Sequence, residues 1–167
     1  MKRVLKRAAM IVIAAVTMSM AVQAQQKGDM AAGGNLVIGL GDNLTNVGIG
    51  AKFQYNVTDP IRLEGSISYF LEKNYVSFWD LSVNGHYLFP LTEQITVYPL
   101  VGVGLLGYKA NFGFGFGSSS KSEFGVNLGG GIDYKLTDKL ILNAETKYKI
   151  GNEWDRELIS VGVAYKF

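Results

Sequence analysis

The stretch that decides the fold is Ser160-Val161-Gly162-Val163-Ala164-Tyr165-Lys166-Phe167. Its apolar residues recur at every second position, and it ends on Phe167 with Tyr165 on the same face. A period of two is the signature of a β-strand. An apolar face that ends in aromatic rings is typical of a strand with one side in lipid and its rings at the membrane interface.

The N-terminus predicts export. Residues 1–7 carry four basic side chains, residues 8–22 are free of charge, and Val22-Gln23-Ala24 places small residues at the two positions that a signal peptidase reads. We therefore predict a cleaved signal peptide over residues 1–24. The alternative is a retained anchor helix, for which the apolar run is short. The sequence has no Cys, which excludes a lipid anchor on a processed Cys and a disulfide scaffold.

Removal of residues 1–24 changes the charge balance. Four of the 16 basic residues leave and all 14 acidic residues stay, so 12 minus 14 gives a mature charge of about −2. The formal charge of +2 therefore does not indicate nucleic-acid binding. The rest of the chain contains no apolar run of 18 residues, which excludes a helical membrane protein.

The remaining chain predicts one domain of eight strands. We assign residues 25–34 to a short N-terminal segment and residues 35–167 to the barrel domain. The strands are of the length that crosses a bilayer at a strong tilt, and an even number is expected for a bacterial barrel. They are predicted near 35–41, 46–56, 61–71, 76–89, 95–108, 122–135, 140–150 and 157–167.

Three connections between these strands resemble one another. They are Val57-Thr58-Asp59-Pro60, Leu91-Thr92-Glu93-Gln94 and Leu136-Thr137-Asp138-Lys139, and they predict one turn chemistry used three times. The other four connections, near 42–45, 72–75, 109–121 and 151–156, are more varied and include the longest. Short turns on the side of both termini and longer loops on the other side favour a barrel with periplasmic turns and extracellular loops.

Parity along six of the eight strands separates charge from apolar surface. One parity carries no charge and places aromatic rings near strand ends, as in Phe53, Tyr87, Tyr134 and Phe167. The opposite parity carries charged and polar residues: Lys52, Gln54, Arg62, Glu64, Asp80, Ser82, Asn84, His86, Asn127, Asp133, Lys135, Asn143, Glu145, Lys147 and Lys149. The faces of the first and fifth strands stay open because Val37 and Leu100 leave both sides partly apolar, and Pro99 is awkward in a closed sheet.

The inward charges predict a polar network that fills the lumen. The interior of an eight-stranded barrel is just wide enough for side chains, and buried ions need partners. A turn at 56–60 would set Lys52 opposite Glu64 on adjacent strands. The predicted network consists of Lys52, Arg62, Glu64, Asp80, Glu145 and Lys147. The alternative is a narrow channel for ions or small solutes.

The C-terminal pattern resembles the signal by which bacterial outer-membrane barrels are handed to their assembly machinery, with Ser160, Gly162, Tyr165 and Phe167 at its four positions. The whole exported chain is similar to the small OmpA-like and OmpX-like outer-membrane proteins. Tyr98-Pro99 followed by Val101-Gly102-Val103-Gly104 is similar to a stretch in their "porin family" relatives. This resemblance implies an all-β, eight-stranded antiparallel up-and-down transmembrane barrel in the outer membrane of a Gram-negative cell. It also implies the assembly machinery as a partner, and a structural, adhesive or protective role.

Two further groups of residues are candidates for a functional role. Phe112, Phe114 and Phe116 lie in a Gly-rich loop, which is either a flexible linker or a sticky extracellular patch, and Trp154 is a comparable aromatic in the last loop. His86 is the only histidine, and we expect it at the periplasmic end, pointing inward. That is the wrong end and face for the acyl transfer that some barrels of this size perform on lipid A, and Asp80 and Ser82 step away from it along the strand.

The sequence thus predicts a monomeric outer-membrane barrel with a structural or surface-interaction role, in contact with membrane lipid. We expect no catalytic residues, cofactor, metal or nucleic-acid partner, and the extracellular partner stays undefined. A soluble lipocalin-like barrel is the alternative of a different class, because exchanging inside for outside preserves the alternation. That barrel would bury the charge-free face and expose the charged one.

Overall fold

The computed structural model describes residues 26–41, 44–73, 76–111, 118–151 and 155–167. Within them, eight antiparallel strands follow one another along the chain. They are β1 (Met30–Gly41), β2 (Leu44–Asn56), β3 (Ile61–Lys73), β4 (Val76–Tyr87, continued at Phe89–Pro90), β5 (Ile95–Asn111), β6 (Ser118–Lys135), β7 (Leu140–Ile150) and β8 (Arg156–Lys166). No helix in the described ranges is long and apolar enough to cross a membrane.

The sheet closes on itself. Each strand pairs with its neighbours in sequence, and β1 pairs with β8 from Ala31 opposite Lys166 to Leu40 opposite Glu157. Closure leaves no strand edge, which a barrel in lipid requires because unpaired backbone groups cannot bond to water there. The predicted fold, an eight-stranded antiparallel up-and-down barrel, is confirmed.

Several strands are longer than predicted. β1 begins at Met30 rather than 35, β5 runs to Asn111 and β6 starts at Ser118, whereas β7 has the predicted bounds. Consequently two of the four connections predicted to be longer span only residues 42–43 and 74–75 between strand ends. Gly-rich and Ser-rich stretches have a weak strand signal in the sequence, but in the barrel they form strands because they pair with the neighbouring strands. The predicted signal peptide, residues 1–24, lies outside the described residues.

Pro99 explains the break in β4. The pairing of β4 with β5 reaches His86 opposite Leu100 and resumes at Phe89 opposite Val97 in the same register. Continuing that register sets Tyr87 opposite Pro99, which has no N–H to donate. The barrel therefore accommodates the proline by interrupting one ladder for two residue pairs, Tyr87–Pro99 and Leu88–Tyr98, while Pro99 stays paired with Gly130 on the other side.

The three similar turns share one hydrogen-bond pattern. In each, the N–H of the residue that opens the next strand donates to the Thr hydroxyl: Ile61 to Thr58 at 3.2 Å, Ile95 to Thr92 at 2.9 Å and Leu140 to Thr137 at 3.0 Å. These turns lie at the same end of the barrel as both termini. We call this the turn end and the opposite end the loop end. The predicted common turn chemistry is confirmed.

The two faces of the wall divide apolar from polar surface. Exposed residues such as Ile49, Ile67 and Val83 face outward, whereas the charged residues on the opposite parity, apart from Lys135 at the end of its strand, are buried inside. Val37 of β1 and Leu100 of β5 lie inside the barrel, which assigns the inward faces of the two strands that the sequence left undecided. This arrangement is the reverse of a lipocalin, so the soluble alternative is wrong.

Candidate functional site in the barrel lumen

All six residues of the predicted network are buried inside the barrel: Lys52, Arg62, Glu64, Asp80, Glu145 and Lys147. The predicted pairing of Lys52 directly opposite Glu64 is wrong by two residues, because the register sets Gln54 opposite Glu64 and Lys52 opposite Ser66. The long side chains meet diagonally instead, and Lys52 Nζ lies 3.3 Å from Glu64 Oε2. Strand pairing and side-chain pairing therefore differ in this lumen.

A first group of buried charges lies in the turn-end half, and we call it the turn-end cluster. It consists of Lys52, Arg62, Glu64, His86, Tyr98, Asp133 and Glu145. Lys52 Nζ lies 3.7 Å from Glu145 Oε2, which also accepts a hydrogen bond from the Tyr98 hydroxyl at 3.2 Å. Arg62 Nη1 bonds Asp133 Oδ2 at 2.6 Å. Since all six strands from β2 to β7 contribute, the cluster ties most of the wall together.

Tyr98 is the centre of that cluster. Its ring stacks on His86 with centroids 4.5 Å apart and an interplanar angle of 8°, and the Arg62 guanidinium carbon lies 4.6 Å from the ring centroid. The ring occupies the space that a Cβ at Gly131 would need. A large aromatic side chain thus fits in the lumen because small residues face it.

Glu64, His86 and Glu145 resemble a metal-ligand set, since one ligand atom of each lies within 4.8 Å of the others. The hydrogen bonds argue otherwise. Arg62 Nε donates to His86 Nδ1 at 3.1 Å, and an arginine only donates, so the neutral imidazole carries its proton on Nε2. Lys52 Nζ lies 3.3 Å from Glu64 Oε2 and 3.7 Å from Glu145 Oε2, so each carboxylate already has a cation beside it. The donor pattern favours a hydrogen-bonded ion cluster over metal ligation.

A second group, the central cluster, consists of Asp80, Ser82, Lys147 and Lys149. Asp80 Oδ1 accepts a hydrogen bond from Ser82 Oγ at 2.7 Å, and Lys147 Nζ lies 3.7 Å from the same oxygen. Lys149 Nζ pairs with the same carboxylate. One Asp from β4 thus meets two Lys from β7 across the lumen.

A third group closes the loop end, and we call it the loop-end layer. Val37, Phe70, Phe78 and Leu158 form a buried apolar cluster there. The Arg156 guanidinium lies 4.7 Å from the Phe70 ring centroid and 4.6 Å from that of Phe78. Side chains therefore cross the lumen at three levels: in the turn-end cluster, in the central cluster and in the apolar loop-end layer.

Sequence reasoning left several of these residues out of its network. His86, Asp133 and Lys149 lie on the parity predicted to face inward, but the predicted network did not include them. Tyr98 was not assigned to the lumen, because the sequence does not decide which face of the fifth strand points inward. Arg156 was placed in a loop, one residue before its strand was predicted to begin. Extending the alternation of Leu158 and Ser160 back by one step would have found it, since all three face inward.

The four positions of the C-terminal pattern divide between the two faces. Ser160 is buried inside, and Gly162 also faces inward, against the backbone of Gly34 and Asn35. Tyr165 and Phe167 are exposed on the outer face at the turn end. The Phe167 N–H donates to the Met30 carbonyl at 3.1 Å, so the terminal residue is held against β1.

The remaining candidate contacts, Phe112, Phe114, Phe116 and Trp154, lie outside the described residues.

At the turn end, the exposed turn residue Asp138 pairs with Lys135 at 2.9 Å. The hydrogen bond from Lys135 lowers the pKa of the Asp138 carboxyl below its ordinary value. The Asp138 carboxylate is therefore ionised at neutral pH, and its pair with Lys135 caps the third turn.

Comparison with known proteins fits this architecture. A family model described as "Outer membrane protein beta-barrel domain" matches residues 10–167, which is nearly the whole chain. The chain belongs to this family. Its members are outer-membrane proteins, so the outward apolar face of this barrel lies in the lipid of the outer membrane.

Two curated relatives of the family are similar over part of their length. The 25 kDa outer-membrane immunogenic protein of Brucella ovis is 35% identical over 72 residues, and outer membrane protein PagN of Salmonella typhimurium is 36% identical over 84 residues. These matches cover 42% and 46% of this chain. They cover only 36% and 35% of those two proteins.

Solved structures of low identity share the fold. Ail, the attachment invasion locus protein of Yersinia pestis, is 20% identical with a TM-score of 0.62 over 85% of this chain and 100% of that chain. The N-terminal barrel of Pseudomonas aeruginosa OprF is 19% identical with a TM-score of 0.64 over 86% and 100%. A second Ail structure, with a TM-score of 0.63, is in complex with the heparin analogue sucrose octasulfate.

Proposed function

We propose that this protein is a surface-interaction barrel of the outer membrane, with a filled lumen and with loops that contact partners outside the cell. One observation carries the proposal: side chains from opposite walls bond across the lumen. Arg62 of β3 bonds Asp133 of β6, and Lys147 Nζ of β7 lies 3.7 Å from Asp80 Oδ1 of β4. A lumen spanned in this way supports a packed core better than a conducting pore.

The surface role follows from which parts of the barrel are free to contact other molecules. The outer face meets lipid and the inner face is occupied by buried side chains, so the loop end is the surface available to other molecules. The name of Ail, an attachment protein, supports an adhesive role by analogy of fold alone. Within this proposal, Phe112, Phe114, Phe116 and Trp154 are the aromatic side chains that would make contact.

The proposal includes no catalytic role. His86 stacks on Tyr98 at the turn end, with its Nδ1 engaged by Arg62, and has no serine in its immediate hydrogen-bond set among the described residues. A nucleophile, a base and an orienting acid would have to lie within hydrogen-bond reach of one another. The histidine instead completes a structural stack.

Cell attachment tests the surface role. The protein would be produced in a Gram-negative host without adhesins, and bound cells would be counted on heparin-coated beads and on cultured epithelial monolayers. We expect binding that falls when Phe112, Phe114 and Phe116 are all replaced by Ser. A matched control, Lys135→Ser at the turn end, should bind like the wild type.

Equal binding by producing and non-producing cells on both surfaces would contradict the adhesive role. Solute flux tests the filled lumen separately, with proteoliposomes swelling in arabinose. We expect swelling no faster than in protein-free liposomes. Rapid swelling would replace the filled lumen with the small-solute channel as the better account.

A further inference from the structure

The closing seam of the barrel, between β1 and β8, is built from small residues in its turn-end half. Apart from Lys166, the inward residues of this half are Ala31, Gly33 and Asn35 on β1 and Ala164 and Gly162 on β8. The two backbones lie close together, because a Cβ at Gly33 would meet the Val163 carbonyl and one at Gly162 would meet the Gly34 carbonyl. Gly-rich strands specify their register weakly, since they have few side chains that interlock.

The apolar pattern of the outer face does not select one register of this seam either. A slip of one residue would turn every side chain of a strand to the wrong face, but a slip of two residues preserves which side chains face lipid. Leu36 lies opposite Val161, and sliding β8 by two residues toward the loop end would set it opposite Val163, another apolar residue. The register of the closing pair also determines the stagger of the barrel, and with it the strand tilt and the width of the lumen. Alternation alone therefore does not distinguish the two registers.

Residues 26–29 precede β1 and fold back onto the wall, and we call them the N-terminal clasp. The Gly28 N–H donates to the Asn56 carbonyl at 2.8 Å, and the Asn56 N–H donates to the Asp29 carbonyl at 2.9 Å. Gly28 has a φ of 90°, a left-handed conformation that glycine adopts without strain. Backbone hydrogen bonds therefore fix the clasp to the end of β2.

The side chain of Asp29 crosses the seam from this clasp. Its Oδ2 accepts a hydrogen bond from the Gln26 N–H at 2.8 Å and lies 2.6 Å from Lys166 Nζ of β8. The pair is partly shielded, with 22% of the Asp29 side chain and 31% of the Lys166 side chain exposed. Beside it, the Phe167 N–H donates to the Met30 carbonyl at 3.1 Å. Asp29 is thus held at a fixed height on the β2 side, and Lys166 reaches it from the other side of the seam.

We propose that the N-terminal clasp sets the register at which the barrel closes, with Asp29 selecting the position of Lys166. Sliding β8 by two residues toward the loop end would move Lys166 about 7 Å from its position beside Asp29, since a strand rises about 3.4 Å per residue. Sliding it toward the turn end would carry Lys166 and Phe167 beyond Met30, where the clasp turns away to β2 and the ladder with β1 ends. The ion pair and the end of the ladder together favour the observed register. This inference concerns closure of the wall and does not depend on what the loops bind.

Disulfide trapping reads the register directly, because the sequence has no Cys. Leu36→Cys with Val161→Cys reports the observed register, and Leu36→Cys with Val163→Cys reports the register in which β8 has slid by two residues. Directly opposite residues lie within reach of a disulfide, whereas diagonal neighbours about 7–8 Å apart do not. The full chain would be produced in a Gram-negative host, and the oxidised outer-membrane fraction would be run on gels with and without reductant.

With Asp29 present, we expect the first cysteine pair to form its disulfide and the second to stay at background. Asp29→Ala should raise the second disulfide about fivefold, because one partly exposed ion pair is lost. Exchange of the two charges, Asp29→Lys with Lys166→Asp, should return it to background. The control is Asp138→Ala, which removes a carboxylate at the same end whose pair with Lys135 does not cross the seam. It should leave both disulfides unchanged.

The proposal is overturned if the second disulfide is equally abundant with Asp29 and in Asp29→Ala. A rise that the charge exchange does not reverse also overturns it, since the ion pair would then not be what selects the register. If Asp29→Ala yields no barrel in the outer membrane, Asp29→Asn decides by the same comparison. Its amide oxygen keeps the hydrogen bond from the Gln26 N–H, and only the charge is lost.

Discussion

Arg62 and Asp133 bond to each other across the lumen, although their strands, β3 and β6, are not neighbours in the sheet. Arg62 Nη1 lies 2.6 Å from Asp133 Oδ2, and 1% of the arginine side chain and 4% of the aspartate side chain is exposed. Backbone pairing alone fixes the order of strands around the barrel. This ion pair in addition fixes the distance between opposite walls, so it restrains the cross-section of the lumen.

Replacing Asp133 by Ala should destabilise the barrel strongly. The change leaves the Arg62 charge buried without its carboxylate, and breaking one partner of a buried ion pair costs about 3–5 kcal/mol. The measurement is the urea concentration at which half of the barrel in detergent is unfolded. The folded fraction is read from the difference in gel migration between unboiled and boiled samples. The exposed pair Lys135–Asp138 is the control, and Asp138→Ala should leave the midpoint unchanged.

A double variant separates the charge from the packing. Arg62→Met with Asp133→Leu removes both ions and keeps apolar volume, and apolar replacement of a buried pair is often neutral or stabilising. We expect the double variant to be more stable than Asp133→Ala. A double variant as unstable as the single one would show that the surrounding hydrogen bonds of Tyr98 and His86, rather than the unpaired charge, set the cost.

Glycines on the inner wall should tolerate no side chain. A Cβ at Gly33 would meet the backbone carbonyl of Val163, whereas a Cβ at Gly65, on the lipid face, would meet nothing within 4 Å. Gly33→Ala should therefore lower the urea midpoint by overpacking, at a cost of about 1–3 kcal/mol. Gly65→Ala serves as the matched control and should leave the midpoint unchanged or raise it slightly. Equal effects of the two variants would show that crowding inside the wall is not the cause.

The alternation of residue types was sufficient to predict the barrel, because lipid outside and ions inside impose opposite chemistry on successive residues. The three Thr turns could also be predicted from the sequence, since each repeats the same residue pattern. The ends of the strands were predicted less accurately. Met30 and Ser118 start strands in stretches rich in small residues, where pairing with a neighbour rather than the local sequence decides the structure.

The partners inside the lumen were harder to predict than the strands. Parity showed which side chains face inward, but register and side-chain length decide which of them meet. Lys52 reaches Glu64 diagonally, and Arg62 passes its neighbours to reach Asp133. Arg156 lay beyond the predicted strand because a single charged residue at a strand end carries no periodic signal.

The lipid face should reject charge according to depth. Val83 lies at the middle of β4 with 57% of its surface exposed, and Ile61 opens β3 at the turn end with 42% exposed. Val83→Lys should cost about 2–4 kcal/mol and Ile61→Lys about 0–1 kcal/mol, because a lysine near the interface can reach water. Unfolding of both variants in lipid vesicles measures the difference. Equal costs at the two depths would contradict the membrane position of the barrel.

The terminal aromatic should matter for assembly rather than for packing. Phe167 is 64% exposed, and its ring makes a single tilted contact in the described structure, with Phe53 at 6.4 Å between centroids. Removing Phe167 should lower the amount of barrel in the outer membrane without changing secretion, measured by fractionation and by signal-peptide cleavage. Phe167→Ala keeps the backbone bond to Met30 and should have the same effect. Phe53→Ala removes the ring contact alone and should assemble normally. Normal outer-membrane levels of the truncated protein would rule out the terminal residue as part of the assembly signal, and a defect in Phe53→Ala equal to that of Phe167→Ala would assign the effect to packing.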